Sequence, residues 1–194
     1  MDFRRFSRIK TLLFSVREAA RAFHVTPAAA RLTCHRYAKK GWLLRPKRDV
    51  YLVRDRWDHL TQAEKFEIAN RLQVPSYISL TTALSFHGVT TQLQQNFVES
   101  VAVTRTKDVT AGGLRFRYVK IREGLYWGFA KSGNFFMAAP EKSFLDSLYL
   151  MSLGRYRLDV SAIDRSKMDG KMLERYSRRF PEPTADLFRK IWKA

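Results

Sequence analysis

The sequence contains one cysteine, Cys34, among its 194 residues. A single thiol forms no intramolecular disulfide and has no second thiol with which to share a zinc ion, so a disulfide scaffold and a cysteine-based zinc finger are both excluded. Long apolar stretches are also lacking, since no run reaches the roughly 18 residues that a membrane span needs. The basic start of the chain is followed by too few apolar residues for a signal peptide. These absences predict a cytoplasmic protein.

Acidic residues are scarce as well: 18 Asp and Glu stand against 36 Lys and Arg, which gives a net charge of +18. The excess is uneven, with +10 in residues 1–60, +3 in residues 61–150 and +5 in residues 151–194. A hydrophobic fraction of 45% still predicts a globular chain. Because positive charge of this size repels itself unless a polyanion covers part of the surface, we expect a nucleic-acid partner and no membrane partner.

Sequence signatures of catalysis are missing, including the P-loop, GxSxG and HExxH motifs. Nothing near Cys34 in the sequence completes a nucleophile pair, so this residue is expected to be a small buried hydrophobe. His24 and His35 have no acidic residue at metal-ligand spacing. The sequence therefore predicts a protein that is not an enzyme and that uses no cofactor or metal.

The first third of the chain has helical patterns with clear start and stop signals. A first amphipathic helix is predicted from the spacing of Phe3, Phe6, Ile9, Leu12 and Leu13. Ser15 and Glu18 have the spacing of a capping box and predict a second, short helix. Thr26 and Pro27 predict the start of a third helix, which Gly41 ends.

Two strand-like runs follow, joined by a basic turn over residues 46–49. Helix, short helix, tight turn, proline-started helix and hairpin are the elements of a winged helix-turn-helix, which inserts a helix into the major groove of DNA. Outward residues of that helix would contact bases or phosphates, and the basic wing would contact phosphates or the minor groove. The candidate DNA-binding residues are Thr26, Ala28, Arg31, His35, Arg36, Lys39, Arg45, Lys47 and Arg48. Arg31 is the strongest single candidate.

Residues 59–194 are expected to form a second domain after a winged domain of residues 1–58. Thr61 and Glu64 have capping-box spacing and predict a linking helix, and Pro75 and Ser76 predict the start of an apolar helix that Gly88 ends. Strand-like runs cover residues 97–104, 114–121, 126–130 and 135–138. Further helices are predicted over 140–153, 167–179 and 184–193. The predicted class is α+β, with a winged helix-turn-helix followed by an antiparallel sheet flanked by helices.

Two short segments of this second domain carry a family resemblance. The first is YISLTTALSFHGV, in which the relevant residues are Tyr77, Ile78, Ser79, Ala83, Leu84, His87 and Gly88. The second is APEKSFLDSLYL, in which they are Pro140, Glu141, Lys142, Leu145, Asp146, Leu148 and Tyr149. Together with the winged helix, these segments resemble the AbiEi antitoxins of type IV (AbiE) toxin–antitoxin systems.

The resemblance implies a protein that represses its own operon through the winged domain. It also implies that the second domain opposes an AbiEii-like nucleotidyltransferase toxin, with Tyr77, Ser79, His87, Gly88, Glu141, Lys142 and Asp146 as its motif residues. The DNA partner would be double-stranded operator DNA containing inverted repeats. Because two half-sites need two copies, we expect a monomer or weak dimer in solution and more than one protomer on DNA.

An alternative hypothesis is an RNA-binding or metal-dependent nucleic-acid-processing protein. Glu141 and Asp146 lie five residues apart in one predicted helix, and a pair of carboxylates is able to hold a divalent metal. Against this, such a site normally needs a further carboxylate from a strand, and the strand-like runs contain only Glu99. The basic C-terminal segment would extend the DNA footprint, form a solvated face or contact an acidic partner through Arg155, Arg157, Arg175, Arg178 and Arg179.

Overall fold

The computed structural model describes residues 3–92 and 94–193. Near the N-terminus, helices Val16–Phe23 (α1) and Pro27–Lys39 (α2) pack on an antiparallel hairpin of strands Leu43–Lys47 (β1) and Val50–Val53 (β2). These four elements are called the winged module below. They occur in the order that the sequence predicts for a helix-turn-helix followed by a wing.

Side-chain caps define where the two helices of the winged module begin. Ser15 and Glu18 form a reciprocal capping box at the start of α1. Thr26 accepts a backbone N–H at the start of α2, and Pro27 occupies its first turn. Between the helices, His24 adopts a left-handed φ of 54°, which redirects the chain within a few residues. The predicted start signals are therefore confirmed.

The predicted first helix is wrong beyond residue 8. A 3-10 helix covers Phe3–Arg8, and Phe14 then exchanges two backbone hydrogen bonds with Tyr51 of β2. Leu12 and Leu13 are both buried in this non-helical stretch. Their apolar character thus reflects burial between other elements and not one face of a helix. The side chain of Phe3 lies outside the described part of the structure.

The rest of the chain mixes helices and strands, which confirms the α+β class. The helices are Arg54–Trp57 (α3), Gln62–Leu72 (α4), Leu80–Phe86 (α5), Pro140–Ser152 (α6), Gly170–Ser177 (α7) and Glu182–Lys193 (α8). The strands are Ser76–Ile78 (β3), Phe97–Ala102 (β4), Lys107–Ala111 (β5), Leu114–Lys120 (β6), Phe129–Ser132 (β7) and Phe135–Ala138 (β8).

Strands β3 to β8 form one sheet in the order β5-β6-β4-β3-β8-β7. The expected antiparallel sheet is wrong in this respect, because β4 pairs with β6 and β3 pairs with β8 in parallel. The polar strand β5 explains one of these pairings. Its alternate side chains are exposed, so β5 belongs at an edge, and the more apolar β6 takes the place beside β4. Strands β5 and β6 pair in antiparallel at this edge, so the sheet contains both parallel and antiparallel pairs and is mixed.

The sequence predicts that a helix starts at Ser76, but this prediction is wrong. The segment from Ser76 to Ile78 is a strand. Tyr77 and Ile78 are fully buried in the centre of the sheet between β4 and β8, and the following helix begins only at Leu80. Pairing on both sides outweighs the local helical pattern. Strand β5 has no counterpart among the predicted runs, and β7 overlaps the predicted run 126–130 only at its first two residues.

The two faces of the sheet pack against different parts of the chain. The helical face, with Tyr77, Val101 and Val119, packs against α5 to α8. The wing face, with Val98 and Phe116, packs against α4 and against the apolar residues Leu12, Leu13, Leu52 and Trp57. The winged module thus lies against the wing face. Among the described residues, no helix has both the length and the apolar character needed to cross a membrane.

Candidate nucleic-acid interface and buried motif cluster

Helix α2 divides into a buried face and an exposed face. The buried residues are Ala30, Thr33, Cys34 and Tyr37. Exposed residues on the opposite face are Ala28, Arg31, Leu32, His35, Arg36 and Lys39. Because successive helical residues are rotated by about 100°, the second set forms one continuous stripe along the helix. The structure therefore brings five of the predicted DNA-binding residues together on one exposed surface.

The residues of this stripe lie at different angles around the helix axis. Ala28, Leu32, His35 and Lys39 occupy its middle, the last three each within about 40° of Ala28 on one side or the other. Arg31 lies at one margin, roughly 60° from Ala28, and Arg36 lies at the other. Long guanidinium side chains at the margins suit contacts to the two phosphate backbones that flank a groove, while shorter side chains in the middle suit contacts to bases.

Leu32 is the residue of this stripe that the sequence interpretation missed. Its side chain is 72% exposed, the largest exposed fraction among the exposed large hydrophobic residues in the described part of the chain. It lies about one helical turn after Ala28 and about one turn before His35, which is also exposed. The spacing of four residues from Ala28 is the sequence signal that would have identified it.

The wing presents the other predicted contacts. Arg45, Lys47 and Arg48 are all exposed, and the Arg45 guanidinium carbon lies 5.7 Å from the centre of the Tyr51 ring. Asp49 at the tip has a left-handed φ of 59°, and its Oδ1 accepts the backbone N–H of Val16 over 2.9 Å. Asp49 therefore fixes the wing to the start of α1, a role that the local sequence did not reveal.

Thr26 is exposed, but its hydroxyl already acts as the helix cap, accepting the N–H of Ala29 over 3.3 Å. Its place in the site is thus to start α2 at the correct residue. Cys34 is fully buried below the stripe, and burial raises the pKa of its thiol to about 11. The protonated, inaccessible thiol agrees with the expectation of a small buried hydrophobe.

In the second domain, four of the motif residues meet in one buried cluster: Tyr77, Ser79, Lys142 and Asp146. The Lys142 ammonium forms an ion pair with Asp146 Oδ1 and donates to the Tyr77 hydroxyl over 2.8 Å. The hydroxyls of Tyr77 and Ser79 each donate to Asp146 Oδ2 over 2.9 Å. Burial raises the pKa of Tyr77 far above its usual range, and the Asp146 charge adds to this effect. We call these four residues the motif cluster.

Aromatic rings surround the ammonium of Lys142, which is 0% exposed. Its Nζ lies 5.1 Å from the ring centre of Trp127, 5.2 Å from that of Phe180 and 5.4 Å from that of Tyr77. The Arg179 guanidinium covers the Trp127 ring at 3.8 Å. Burial lowers the pKa of Lys142, while the Asp146 carboxylate opposes that shift. Cation–π contacts and the ion pair together hold this charge inside the protein.

The remaining motif residues lie outside the cluster. The His87 Nε2 bonds to the carbonyl oxygen of Ala138 at 2.9 Å, and Gly88 ends the α5 region with a left-handed φ of 70°. Glu141 Oε1 accepts the backbone N–H of Asp169 over 2.9 Å. Gly128 borders the motif cluster and was not predicted from the sequence: a Cβ there would lie 2.9 Å from Lys142 Cγ. No local pattern marks this contact between positions 14 residues apart.

The geometry does not favour a metal-dependent reaction at Glu141 and Asp146. Both oxygens of Asp146 are engaged by Lys142, Tyr77 and Ser79, and the Lys142 charge occupies the place that a cation would take. Glu141 is directed to the start of α7 instead. Within residues 3–92 and 94–193, no group of three or more His, Cys, Asp or Glu side chains is arranged to hold a metal ion. The motif cluster is a satisfied structural network.

Comparison with known proteins bears on both parts of the chain. Residues 7–54 match the sequence model of a family described as a transcriptional regulator, AbiEi antitoxin. This confirms the resemblance over the region that contains every candidate DNA-binding residue. In fold, the chain is similar to the crystal structure of the RV2827C protein from Mycobacterium tuberculosis, with a TM-score of 0.60 and 8% identity over 98% of this chain and 76% of that chain. At this identity the likeness concerns the fold alone. No curated protein matches the sequence.

Proposed function

We propose that the protein is a DNA-binding transcriptional repressor of its own operon, with residues 1–58 as the DNA-binding domain. The observation that carries the proposal is the exposed stripe of α2 beside a basic wing, in the third of the chain that holds +10 of the net charge. The match of residues 7–54 to a family of transcriptional regulators supports the same function. Cooperating protomers on inverted repeats would cover two half-sites.

The first experiment measures binding of the full chain to duplex DNA from upstream of its own gene and to a scrambled duplex at the same salt concentration. We expect at least tenfold tighter binding to the upstream duplex, and about a tenfold loss in Arg31→Ala, because one lost phosphate or base contact is worth roughly 1–3 kcal/mol. Arg122→Ala is the control that removes the same charge from an exposed residue outside the winged module. Equal affinity for both duplexes would contradict autorepression.

Salt dependence tests the assignment of the wing. Each phosphate contact contributes about −0.9 to the slope of log K against log salt concentration. Replacing Arg45, Lys47 and Arg48 with Gln should therefore make the slope shallower by about 2 to 3. An unchanged slope would place the wing away from the DNA.

We further propose that residues 59–194 act as an antitoxin domain against an AbiEii-like nucleotidyltransferase toxin. The description of the matched family as an AbiEi antitoxin supports this proposal. The polar atoms of the motif cluster are buried and not available to a partner, so its contribution is to the packing of the domain. The test is growth of cells that express an AbiEii-like nucleotidyltransferase toxin, with and without this protein. Arg31→Ala should still rescue growth, since it lies outside the antitoxin domain. Failure of the unmodified chain to rescue would contradict this half of the proposal and leave the repressor half intact.

A further inference from the structure

The second domain contains a polar cleft that the proposed function does not use. It has a volume of about 870 Å³ and lies beside the start of α5, the strands β4 and β6, and the segment after α6. Ligand-binding clefts commonly have volumes of roughly 300–1,000 Å³. The lining includes three arginines, Arg117, Arg155 and Arg157, together with the acidic residue Glu99.

The arginines give the cleft an excess of positive charge. In the part of the chain that the structure describes, none of the three guanidinium groups has a carboxylate within ion-pair distance. Arg117 faces Glu99 across the parallel pair β4 and β6, so that both side chains are on the same face of the sheet. Arg155 and Arg157 flank Tyr156 on the segment after α6. Guanidinium groups arranged around a cleft are suited to a phosphate group.

Glu99 provides a buried acceptor in the same cleft. Its residue is 2% exposed, and its Oε2 accepts hydrogen bonds from Gln94 Nε2 over 2.8 Å and from the Tyr156 hydroxyl over 2.7 Å. Both of these bonds end on Oε2, and the backbone N–H of Thr81 also interacts with the carboxylate. A carboxylate has about four lone-pair sites, so it keeps acceptor capacity for one further donor. The carboxylate is held in place by its neighbours, and burial raises its pKa. The hydrogen bonds from Gln94 and Tyr156 and the charge of Arg117 oppose this pKa shift and favour the ionised form. An ionised carboxylate accepts hydrogen bonds and donates none, so it suits an amino group.

The cleft is separate from the DNA-binding surface. Glu99 and Arg117 alternate along their strands with Val98 and Phe116, which belong to the wing face. Since successive strand residues point to opposite faces, the cleft opens on the helical face. The winged module packs on the other face.

We propose that this cleft binds a nucleoside monophosphate whose base carries an amino group, with the arginines holding the phosphate and Glu99 accepting from the amino group. The ligand must combine an anionic end with an N–H donor end, because the lining offers both types of partner. Cytosine presents such an amino group, and a glutamate accepts from it favourably. Uracil has carbonyl oxygens on either side of its single N–H, and these would face the carboxylate.

The experiment is calorimetric titration of the full chain with CMP, UMP, cytidine and inorganic phosphate in about 150 mM salt, an ionic strength that screens nonspecific attraction. We expect CMP to bind with a stoichiometry of one, at least fivefold more tightly than UMP and more tightly than either cytidine or phosphate. Absence of CMP binding, or phosphate binding as tightly as CMP, would overturn the proposal.

Variants assign the binding to the cleft. Arg155→Gln with Arg157→Gln changes exposed residues and should weaken CMP about tenfold, whereas Arg175→Gln with Arg178→Gln removes the same charge from the α7 region and should have no effect. Glu99→Gln should abolish the preference for CMP over UMP. Equal losses in both double variants would show general attraction of anions and overturn the proposal. DNA affinity should be unchanged in Glu99→Gln, so failure here is distinguishable from failure of the repressor function.

Discussion

Lys142 is the side chain whose environment is most unusual in this protein. An ammonium taken out of water loses several kcal/mol of hydration, which only a close opposite charge and oriented polar groups offset. Asp146 lies one turn later on α6, and Tyr77 and Ser79 come from the centre of the sheet. The motif cluster therefore joins α6 to the sheet. This contact explains why the two motif segments, about 65 positions apart in the sequence, occur together.

Lys142→Met should lower the free energy of unfolding by about 3–5 kcal/mol, because it leaves the Asp146 carboxylate buried without its counter-charge. Urea unfolding of the full chain measures the change. Lys171→Met is the control, since Lys171 is exposed on α7. The double variant Lys142→Met/Asp146→Leu should be more stable than Lys142→Met, because it removes the unpaired charge. A single variant within about 1 kcal/mol of the unmodified protein would show that the ion pair has little structural role.

Leu32 allows a test of base contact at the level of one methyl group. If the stripe of α2 enters a major groove as proposed, an apolar side chain in its middle is suited to the 5-methyl group of thymine. Replacing that thymine by uracil in the bound duplex should weaken binding about fourfold, the value of one buried methyl group. The same replacement should have no effect on Leu32→Ala.

Thymines of the upstream duplex are replaced one at a time, and affinity is measured by fluorescence anisotropy. Leu153→Ala is the matched control, because Leu153 is 42% exposed at the end of α6, outside the winged module. It should keep the full effect of the uracil replacement. If no thymine shows an effect that depends on Leu32, this side chain does not contact a base methyl.

At the scale of elements, the wing and α1 form one unit through Asp49. Asp49→Ala should destabilise the protein by about 1–2 kcal/mol, since it removes a hydrogen bond at a helix N-terminus and places a β-carbon-bearing apolar residue at positive φ. For a chain of this size, the melting temperature should fall by about 2–8 °C. Calorimetry or circular dichroism measures it.

Asp49→Asn is the matched control for that variant. Asparagine also adopts left-handed φ and keeps an Oδ1 acceptor for the N–H of Val16. It should therefore retain most of the stability that alanine loses. Equal destabilisation by both substitutions would mean that the carboxylate charge near α1, and not the hydrogen bond, is what matters.

Elements with local signals could be predicted from the sequence, whereas elements defined by distant partners could not. The caps at Ser15, Thr26 and Thr61 act within one helical turn, and all three are confirmed. Strand β3 has only three residues and depends on pairing with β4 and β8. Strand β5 is polar, so it lacks the apolar pattern on which strand prediction relies.

The same distinction applies to the candidate sites. The exposed stripe of α2 follows from helical periodicity, and most of its residues were identified from the sequence. Leu32 is uncharged, so the charge pattern does not mark it, and Val16, the partner of Asp49, lies 33 residues away. Trp127, Phe180 and Gly128 approach Lys142 only after the sheet and helices are assembled.

At the scale of the whole molecule, Trp57 connects the winged module to the sheet. Its indole N–H donates to the carbonyl of Gly112 over 3.0 Å, at the turn between β5 and β6. A Cβ at Gly112 would collide with the indole ring, whereas a Cβ at Gly113 would meet nothing within 4 Å. These adjacent glycines both have positive φ, at 50° and 81°. Substitutions at these two positions therefore impose the same kind of backbone strain, but only the substitution at Gly112 disturbs the contact with Trp57.

Gly112→Ala should reduce the free energy of unfolding by about 1–3 kcal/mol more than Gly113→Ala, because only the first substitution forces the indole from its place. Chemical denaturation measures the stability of both. Limited proteolysis should also cleave near residues 54–60 sooner in Gly112→Ala. Identical behaviour of the two variants would show that the contact with Trp57 does not hold the two parts together.

The central position of β3 has a consequence for the order in which the chain folds during synthesis. The winged module is complete once residue 53 has been made, so it is able to fold early. Strand β3 gains its second neighbour only when residues 135–138 appear, and Tyr77 and Ser79 gain their acceptor only with Asp146. The middle of the sheet is therefore closed late, by contacts between distant residues that form slowly. A nascent chain of this protein carries a finished winged module well before its second domain is able to close.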